Sequence, residues 1–427
     1  MKRRCEQVAV VVVSLCAAVT LHSVFMSLVE LLPGWPWDLR SGNLPRNDRH
    51  VDVRIAFPRR QSYEVLPPGP PPRPPAPPPE VSLNDPSKRG AGPLGLRGIR
   101  WSDDLGDDGK AFEAALAWLD RHQLTDGGWA ADSECTEKKG TPHSTAKSAP
   151  GATAIALLAY LGDGITHLSK GAYRDSVSGR TIGRGQVAKN AIKWLISNCP
   201  AAGRQPTGWS HQDHALATLA LAEAYAMTQS ALFRDFAQNL VNSLLARYAW
   251  GIRWRNESGA AERDSDATAW ALLAIGIARE AKLKVPEDAM SDAVATFIAD
   301  ESLAPLRRAS MATAARLLSP RQSVDGDWAA AYRVVQLEAD RPERPDLGTL
   351  HWVLLAARQA SSADTKTWRT WRDAAATRVV EAQRASGCRE GSWDPPENDP
   401  LGRTGSTAQN ALTLLTWKRY APVKPPK

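Results

Sequence analysis

The chain has 427 residues, of which 53 are Lys or Arg and 46 are Asp or Glu, so its formal net charge at pH 7 is +7. Residues 1–100 hold 14 of the basic and 8 of the acidic side chains, so almost all of the surplus positive charge lies there. Residues 101–427 are nearly neutral, whereas a nucleic-acid-binding domain gathers Lys and Arg on one face. We therefore expect no nucleic-acid partner.

An apolar segment, residues 8–32, follows the basic sequence MKRR and contains no charged side chain before Glu30. This length is sufficient to cross the hydrocarbon core of a bilayer, and the basic flank, residues 1–7, favours the cytoplasmic side. The alternative is a cleaved signal peptide with its apolar part at residues 8–21 and a weak small-residue site near Ala17 and Ala18. We favour an uncleaved single-pass anchor in the inner (cytoplasmic) membrane, with the rest of the chain exported to the periplasmic side.

Residues 33–100 are predicted to form a disordered, proline-rich linker. The sequence PPGPPPRPPAPPP, residues 67–79, fixes φ at most positions and favours a polyproline spacer of about 3.1 Å per residue, roughly 40 Å in all. A docking segment for a proline-recognising protein is the alternative. We expect a spacer that holds the following domain away from the membrane.

From about residue 107 onward, small and apolar side chains recur at three- and four-residue spacing between Gly, Pro and Asp, which predicts helices and no strands. Helices with one polar face alternate with helices made almost entirely of Ala, Leu, Thr and Ile, a composition typical of helices that are covered on all sides. Twelve such segments, among them the fifth at residues 231–250, the seventh at residues 286–300 and the ninth at residues 327–339, make six hairpins. The pattern predicts an all-α fold in which residues 101–422 form an α6/α6 toroid of apolar inner helices within a ring of outer helices, with the C-terminal helix beside the first hairpin.

The sequence ALAWLDRHQLTDGGW, residues 115–129, resembles the QW repeat of squalene cyclases and their relatives. We expect Gln123 and Trp129 to pack at the end of an outer helix, while Gly127 permits the turn toward the next inner helix. Partial copies follow around three further tryptophans: Trp209, Trp254 and Trp393. Over roughly residues 92–422 the chain is therefore similar to bacterial proteins with prenyltransferase and squalene-oxidase repeats, and the resemblance implies a terpenoid-cyclase and protein-prenyltransferase toroid.

The resemblance draws attention to two acids at the start of an inner helix. Class II terpene cyclases carry Asp-x-Asp-Asp before Thr and Ala, and the middle Asp protonates an alkene or epoxide; here Asp264 and Asp266 match, but Ala267 replaces the last acid. Asp264 and Asp266 are therefore the catalytic candidates. The alternative, which we favour, is that Asp264 caps the helix and Asp266 lies in its first turn, where the helix dipole favours negative charge.

A second group of candidates surrounds the sequence SHQDH, in which His211, Asp213 and His214 are candidate ligand-binding residues. Ser210 and Asp213 also match a capping box, which explains the cluster without a ligand. Protein prenyltransferases hold zinc with an Asp-x-Cys pair and a distant His, and the chain has no Asp-x-Cys. We therefore predict no metal site and no cofactor.

In the predicted toroid every loop from an outer to an inner helix lies at the same end, so any site is expected there, with Trp254 and Trp393 as further candidate ligand-binding residues. The predicted function is a membrane-tethered module that binds an apolar or isoprenoid-like ligand or acts as a scaffold for a protein partner, without a complete cyclase or zinc prenyltransferase site. A class II cyclase and an α6/α6 carbohydrate-active enzyme are the alternatives. Carboxylates and tryptophans around an open groove would favour the sugar enzyme, and a closed apolar cavity the isoprenoid ligand.

Overall fold

Helices dominate the part of the chain that the computed structural model describes, which comprises residues 106–132, 149–199, 208–318, 346–360 and 366–419. A helix is present at each predicted helical segment within these ranges, so the prediction of a mainly helical chain is confirmed. The predicted membrane anchor, the proline-rich linker and the predicted helix at residues 327–339 lie outside the described residues. Within the ranges given above, no helix combines the length and the apolar composition needed to traverse a bilayer.

The helices of the described ranges are labelled in chain order. They are α1 (Asp107–His122), α2 (Pro150–Gly162), α3 (Arg184–Asn198), α4 (His211–Thr228), α5 (Ala231–Arg247), α6 (Ser265–Glu280), α7 (Ala293–Ala299), α8 (Pro305–Leu318), α9 (Leu347–Ala360), α10 (Lys366–Glu381) and α11 (Gly402–Arg419). Helix α7 is shorter than the predicted segment, residues 286–300, because Met290 has φ of 57° and cannot continue a right-handed helix.

The expectation that no strand follows residue 107 is wrong. Strands β1 (Ala172–Arg174) and β2 (Thr181–Gly183) form an antiparallel hairpin, and β3 (Tyr248–Trp250), β4 (Arg253–Arg255) and β5 (Ala261–Arg263) form a three-stranded antiparallel sheet in that order. Each strand has three residues, too few for a recognisable alternation of apolar and polar side chains.

The predicted fifth helix, residues 231–250, ends early at Arg247 because the next three residues join the sheet as β3. The turn after β3 is held by Asp292, whose carboxylate accepts hydrogen bonds from the Tyr248 hydroxyl at 2.8 Å and the Gly251 N–H at 2.5 Å. This contact comes from a residue more than 40 positions away. A local pattern of residues therefore could not reveal it.

The apolar helices contact one another in succession. Helix α2 packs against α4, α4 against α6, α6 against α8, α8 against α9, α9 against α11, and α11 in turn against α2. The helices with a polar face pack on this set: α1 and α3 contact α2, α5 contacts α4 and α6, α7 contacts α8, and α10 contacts α9 and α11. Helix α2 is buried from Gly151 to Gly162, as expected for a helix covered on all sides.

The first QW repeat has the packing expected for the motif. Trp129 is fully buried, and its indole N–H donates a hydrogen bond to the carbonyl of Leu119 at 2.8 Å. The Gln123 amide donates to the carbonyl of Gly127 in its own turn and to that of Val187 in α3, each at 2.9 Å. Gly127 has φ of 97°, in the left-handed region that favours glycine.

The last QW repeat has the same contacts. The Trp393 indole N–H donates to Val379 O at 2.8 Å, and the Gln383 amide donates to Gly391 O in its own turn at 2.9 Å. The second hydrogen bond of Gln383, at 2.8 Å, goes to the carbonyl of Ala111 in α1. Each of these glutamines therefore bonds one polar-faced helix to another, and the partner of the last repeat is the first helix of the described chain.

Candidate functional site

A cavity of about 530 Å³ lies at the N-terminal ends of α4, α6, α8, α9 and α11. The loop between α10 and α11 forms one wall. This is the end of the helices at which the loops from polar-faced to apolar helices meet. Five carboxylates line the cavity, which we call the acidic groove: Asp266, Asp346, Asp394, Glu397 and Asp399.

Asp264, one of the two catalytic candidates, is the N-cap of α6. Its backbone is extended, with φ of −148° and ψ of 90°, and its Oδ1 accepts a hydrogen bond from the Ala267 N–H at 2.9 Å. The backbone carbonyl of Asp264 also accepts from the Thr268 hydroxyl at 2.7 Å. The predicted capping role is therefore confirmed, and Asp264 does not line the acidic groove.

Asp266, the other catalytic candidate, lines the groove from the first turn of α6. Its Oδ1 accepts a hydrogen bond from the Arg307 guanidinium at 2.6 Å, and its side chain is 43% exposed. Burial raises the pKa of Asp266, and the charge of Arg307 opposes this rise. A carboxylate that is paired with a guanidinium in an open polar groove differs from the protonated acid in a dry cavity that a cyclase requires.

Two further acids of the groove are held by backbone N–H groups. Asp346 accepts hydrogen bonds from the N–H and the hydroxyl of Thr349 at 2.8 and 2.6 Å; burial would raise its pKa, but these bonds lower it below its usual value. Asp399 accepts from the Leu401 N–H at 2.9 Å. Burial raises the pKa of Asp399, and the negative charge of Asp266 raises it further. Both carboxylates line the groove, and the charge of Asp266 disfavours ionisation of Asp399.

Asp394 differs from the other acids of the groove because two arginines neutralise it. Its carboxylate accepts hydrogen bonds from Arg384 and from Arg403, the latter at 2.6 Å. The bond from Arg384, opposed by partial burial and reinforced by Arg403, holds the pKa of Asp394 below its usual value. Asp394 therefore holds the loop between α10 and α11 in place through its two arginine partners, and it adds little negative charge to the groove.

The remaining lining includes two tryptophans and one buried amide. Trp270 and Trp352 are 4% and 2% exposed, and their ring centroids lie 4.8 Å apart. Asn410 is 4% exposed; its Nδ2 donates to the carbonyl of Ser406 at 2.9 Å, while its Oδ1 has no hydrogen-bond partner in the described part of the chain.

No family model, curated protein or solved structure matches the chain. The chemistry of the acidic groove therefore has to be inferred from its own residues. Among the residues that the structure describes, no group of three or more His, Cys, Asp and Glu side chains is placed to hold a metal ion.

Asp213, one of the three candidates in SHQDH, forms the predicted capping box with Ser210. The Asp213 N–H donates to Ser210 Oγ at 3.0 Å, and Asp213 Oδ2 accepts from the Ser210 N–H at 2.9 Å. Its Oδ1 accepts a third bond, from the Gly151 N–H at 2.7 Å. Asp213 therefore ties the start of α4 to the start of α2, and none of these contacts requires a ligand.

The two histidines of this cluster are buried in different surroundings. His211 stacks on Trp254 with ring centroids 5.7 Å apart, and its Nε2 lies 3.2 Å from the carbonyl of Arg255. His214 is fully buried, and burial, with a smaller effect of the Arg247 charge, lowers its pKa to about 3. Neither histidine lines the acidic groove, whereas Gln212, which lies between them in sequence, does.

The two candidate tryptophans are engaged in internal contacts. The Trp254 indole N–H donates to Thr268 Oγ1 at 2.8 Å, and Trp393 bonds Val379 as described above. Both side chains are fully buried and lie outside the acidic groove. Of the seven sequence-predicted site residues, the structure therefore brings Asp266 alone to the groove.

Most residues of the acidic groove lie outside the set of sequence-predicted candidates. Its one lining guanidinium among the described residues, Arg307, belongs to the start of α8, and Asp346 precedes α9. The acids Glu397 and Asp399 belong to the sequence DPPENDP, which directly follows the last QW tryptophan. This acidic and proline-rich sequence directly before an apolar helix was a signal from which the loop wall of the groove could have been predicted.

Proposed function

We propose that this chain is a membrane-tethered, exported α6/α6 toroid of the squalene-cyclase and prenyltransferase repeat type that binds a small polar molecule in the acidic groove. The membrane anchor rests on the sequence of residues 8–32, and the toroid and the ligand rest on separate structural observations. The observation that carries the function is that the groove at the inner-helix N-termini is open and lined by carboxylates.

The order of helix contacts supports the toroid. The six apolar helices each touch the next, and α11 touches α2, which returns the series to its start. Among the polar-faced helices, Gln123 bonds α1 to α3 and Gln383 bonds the end of α10 to α1. A glutamine hydrogen bond of the same kind thus joins the first two outer helices and also joins the last outer helix to the first.

The lining of the acidic groove favours a polar ligand over an isoprenoid. An apolar chain in this groove would take Asp399 and the Asp266–Arg307 ion pair out of water without offering them a hydrogen bond, and the burial of charged groups without compensating hydrogen bonds is strongly unfavourable. Cyclase chemistry is disfavoured by the same residues, because Asp266 is paired with Arg307 rather than held as a neutral acid. A polar ligand supplies hydrogen bonds in place of those that these groups lose to water when the ligand binds.

A carbohydrate-active enzyme is the second candidate, because the groove combines carboxylates with Trp270 and Trp352. Glycoside hydrolysis uses one carboxyl group with a raised pKa as the acid and a second carboxylate as base or nucleophile. Burial raises the pKa of both Asp266 and Asp399, and the charge of Asp266 adds to the rise at Asp399. This pair is the one to which such an activity would be assigned.

The test is to identify what copurifies with the full-length protein in a mild detergent, by native mass spectrometry followed by release of the bound molecule. We expect a polar molecule that is retained by wild type and by Asp107→Asn, an exposed substitution in α1, and is lost from Arg307→Glu. An isoprenoid retained by wild type and lost from Arg307→Glu would refute the polar groove. Release of reducing sugar from glycans that stops in both Asp266→Asn and Asp399→Asn would establish the enzyme instead.

A further inference from the structure

The β1–β2 hairpin has one strand edge whose backbone groups are free. The Asp175 N–H donates to the carbonyl of Arg180 at 2.9 Å, and hydrogen-bonded and non-hydrogen-bonded pairs alternate along an antiparallel hairpin. The Tyr173 backbone therefore also faces β2, whereas the N–H and C=O groups of Ala172 and Arg174 point away from it. None of these four groups has a hydrogen-bond partner in the described part of the chain. Such an edge is a template for a further strand.

A cavity of about 450 Å³ lies beside this edge, between the hairpin and α1, and shares no described lining residue with the acidic groove. All three residues of β1 line it and no residue of β2 does, so the free edge borders the cavity. Its floor includes Ala114 and Ala117, which lie three residues apart on one face of α1. Ile165 and Val177 add apolar surface, and Val177 is 49% exposed. A strand added to β1 would turn every second side chain toward this apolar surface.

Buried polar contacts fix the hairpin on α1. The Tyr173 hydroxyl donates a hydrogen bond to Asp120 at 2.7 Å, and Arg121 donates to Asp175 at 3.1 Å. The Arg184 guanidinium, at the start of α3, donates to the same carboxylate of Asp120 at 3.1 Å. These carboxylates and guanidiniums are all buried. The edge and the cavity are therefore held in place in advance, so an incoming strand does not have to order them.

The sequence VDVRIAF, residues 51–57, has the pattern that such an edge requires. Its side chains alternate between apolar and mostly polar, which is typical of a strand with one buried face, and the proline that follows would end the strand. We propose that residues 51–57 of the same chain bind to β1 as an added strand, with their apolar face toward the cavity. The side chains of that face are Val51, Val53, Ile55 and Phe57.

The charges at the rim of the cavity match the other face of this segment. That face carries one residue of each sign, Asp52 and Arg54. The rim likewise has one exposed group of each sign, Arg174 and Glu390, and neither forms an ion pair within the described ranges. Opposite charges on neighbouring strands stabilise their pairing.

The intervening chain is long enough for the segment to reach this site. Residues 58–106 number 49, and a flexible chain of that length has a root-mean-square span on the order of 40 Å. Helix α1, with 16 residues, is about 24 Å long. Tethering also holds the effective concentration of the segment near the millimolar range. A short strand contact of modest affinity is therefore sufficient for occupancy.

This attachment goes beyond the proposed polar-ligand function, because it sets how far the toroid lies from the membrane. With the proposed anchor at residues 8–32, the free tether becomes residues 33–50 rather than the whole of residues 33–100. The polyproline sequence, residues 67–79, becomes part of a loop that is closed at both ends by the domain.

The experiment is hydrogen exchange of the full-length protein in a mild detergent, measured by mass spectrometry of peptic fragments. Amides that are hydrogen-bonded in a strand exchange only when the strand opens. We expect residues 51–57 to exchange at least about tenfold more slowly than residues 59–64. The fragment that contains Ala172 and Arg174 should be protected together with them, because its free N–H groups gain partners.

Two pairs of variants locate the contact. Val53→Asp places a charge on the apolar face and should abolish the protection, whereas Ala56→Asp places the same charge on the other face and should preserve it. Ala117→Trp fills the floor of the cavity and should also abolish the protection, whereas Ala374→Trp, at an exposed position of α10, should not. Thermal unfolding checks that the two tryptophan variants are folded, and Val53→Asp tests the contact without altering the domain.

Three results would overturn the proposal. Equal exchange of residues 51–57 and 59–64 in wild type would show that the segment is not bound. Protection that survives in folded Ala117→Trp would show that the segment binds elsewhere. Protection that falls as the protein is diluted would show that a second copy supplies the strand.

Discussion

His214 is a buried histidine whose protonation should make the stability of the fold depend on pH. The side chain is fully buried between α4 and α5, and neither ring nitrogen makes a well-formed hydrogen bond with the residues that the structure describes. The backbone of Leu240 lies close enough to favour the protonated form slightly. Burial and the charge of Arg247 lower the pKa to about 3 from an ordinary value of 6.5. The folded protein therefore keeps this ring neutral at every pH at which it is normally handled.

The direction of the effect follows from the pH at which the folded and the unfolded state each bind the proton. As the pH falls below 6.5 the unfolded chain protonates this histidine, while the folded chain does not do so until about pH 3. Stability is thus fully present above the unfolded pKa and is lost as the pH falls from 6.5 toward 3. At pH 5 the gap is about 1.5 pH units, which corresponds to about 2 kcal/mol of unfolding free energy.

The assay is urea unfolding of the full-length protein, followed by tryptophan fluorescence at about pH 7.5 and about pH 5. We compare wild type with His214→Leu, which removes the titrating ring, and with Thr218→Val, a buried and non-titrating substitution one turn further along α4. When the pH is lowered from about 7.5 to about 5, the unfolding free energy of wild type and of Thr218→Val should each fall by about 2 kcal/mol more than that of His214→Leu. Parallel losses in all three proteins would show that His214 is not the buried neutral group inferred here.

Three further predictions concern the helix ends and the QW repeats. Asp264→Asn should change the unfolding free energy little and Asp264→Ala should lower it by about 1 kcal/mol, as expected for a cap; loss of a measured activity in both variants at unchanged stability would return Asp264 to the catalytic candidates. Gly127→Ala should lower the unfolding free energy by about 1–3 kcal/mol more than Gly179→Ala does. Both glycines have a positive φ, but only at Gly127 would a Cβ lie 2.8 Å from Asn190 O. Equal melting temperatures of the two variants would contradict this. Gln383→Ala should cost about 1–3 kcal/mol in urea unfolding, since it leaves two carbonyls without their donor, and a change below about 0.5 kcal/mol would refute the bridging role.

Sequence periodicity was sufficient to locate the helices because their identity is set by local spacing. The segment HQDHALATLALAEAYAMT coincides with α4, since its capping box and its apolar composition are both encoded within the helix itself. The first QW repeat could also be predicted, because Gly127 and Trp129 belong to a turn whose conformation depends on residues that are close in sequence. The strands were missed because contacts such as that of Asp292 with Gly251 come from distant residues.

The acidic groove was much less predictable than the helices. The prediction that a site would lie at the outer-to-inner loops points to the end of the helices at which the acidic groove lies, but it favoured histidines and tryptophans with conspicuous motifs. Those side chains are used internally: Trp254 bonds Thr268, and His211 stacks on Trp254. The lining residues Arg307 and Asp399 come from separate hairpins, and only the fold brings them together. Aromatic and histidine motifs were markers of architecture here, whereas Arg307, which lines the groove, carried no local signature.

The hydrogen bonds between the first and last hairpins also constrain when the protein can mature after synthesis. The Trp118 indole in α1 donates to the carbonyl of Cys388, which is 270 positions later in the chain, and Arg121 donates to that of Glu390. At translation rates of about 5–20 residues per second, α1 waits roughly 15–50 s for these partners. During that interval its buried face has nothing to pack against on one side. A nascent chain therefore exposes part of its first helix until the last hairpin emerges, and a truncation near the C-terminus exposes the same surface.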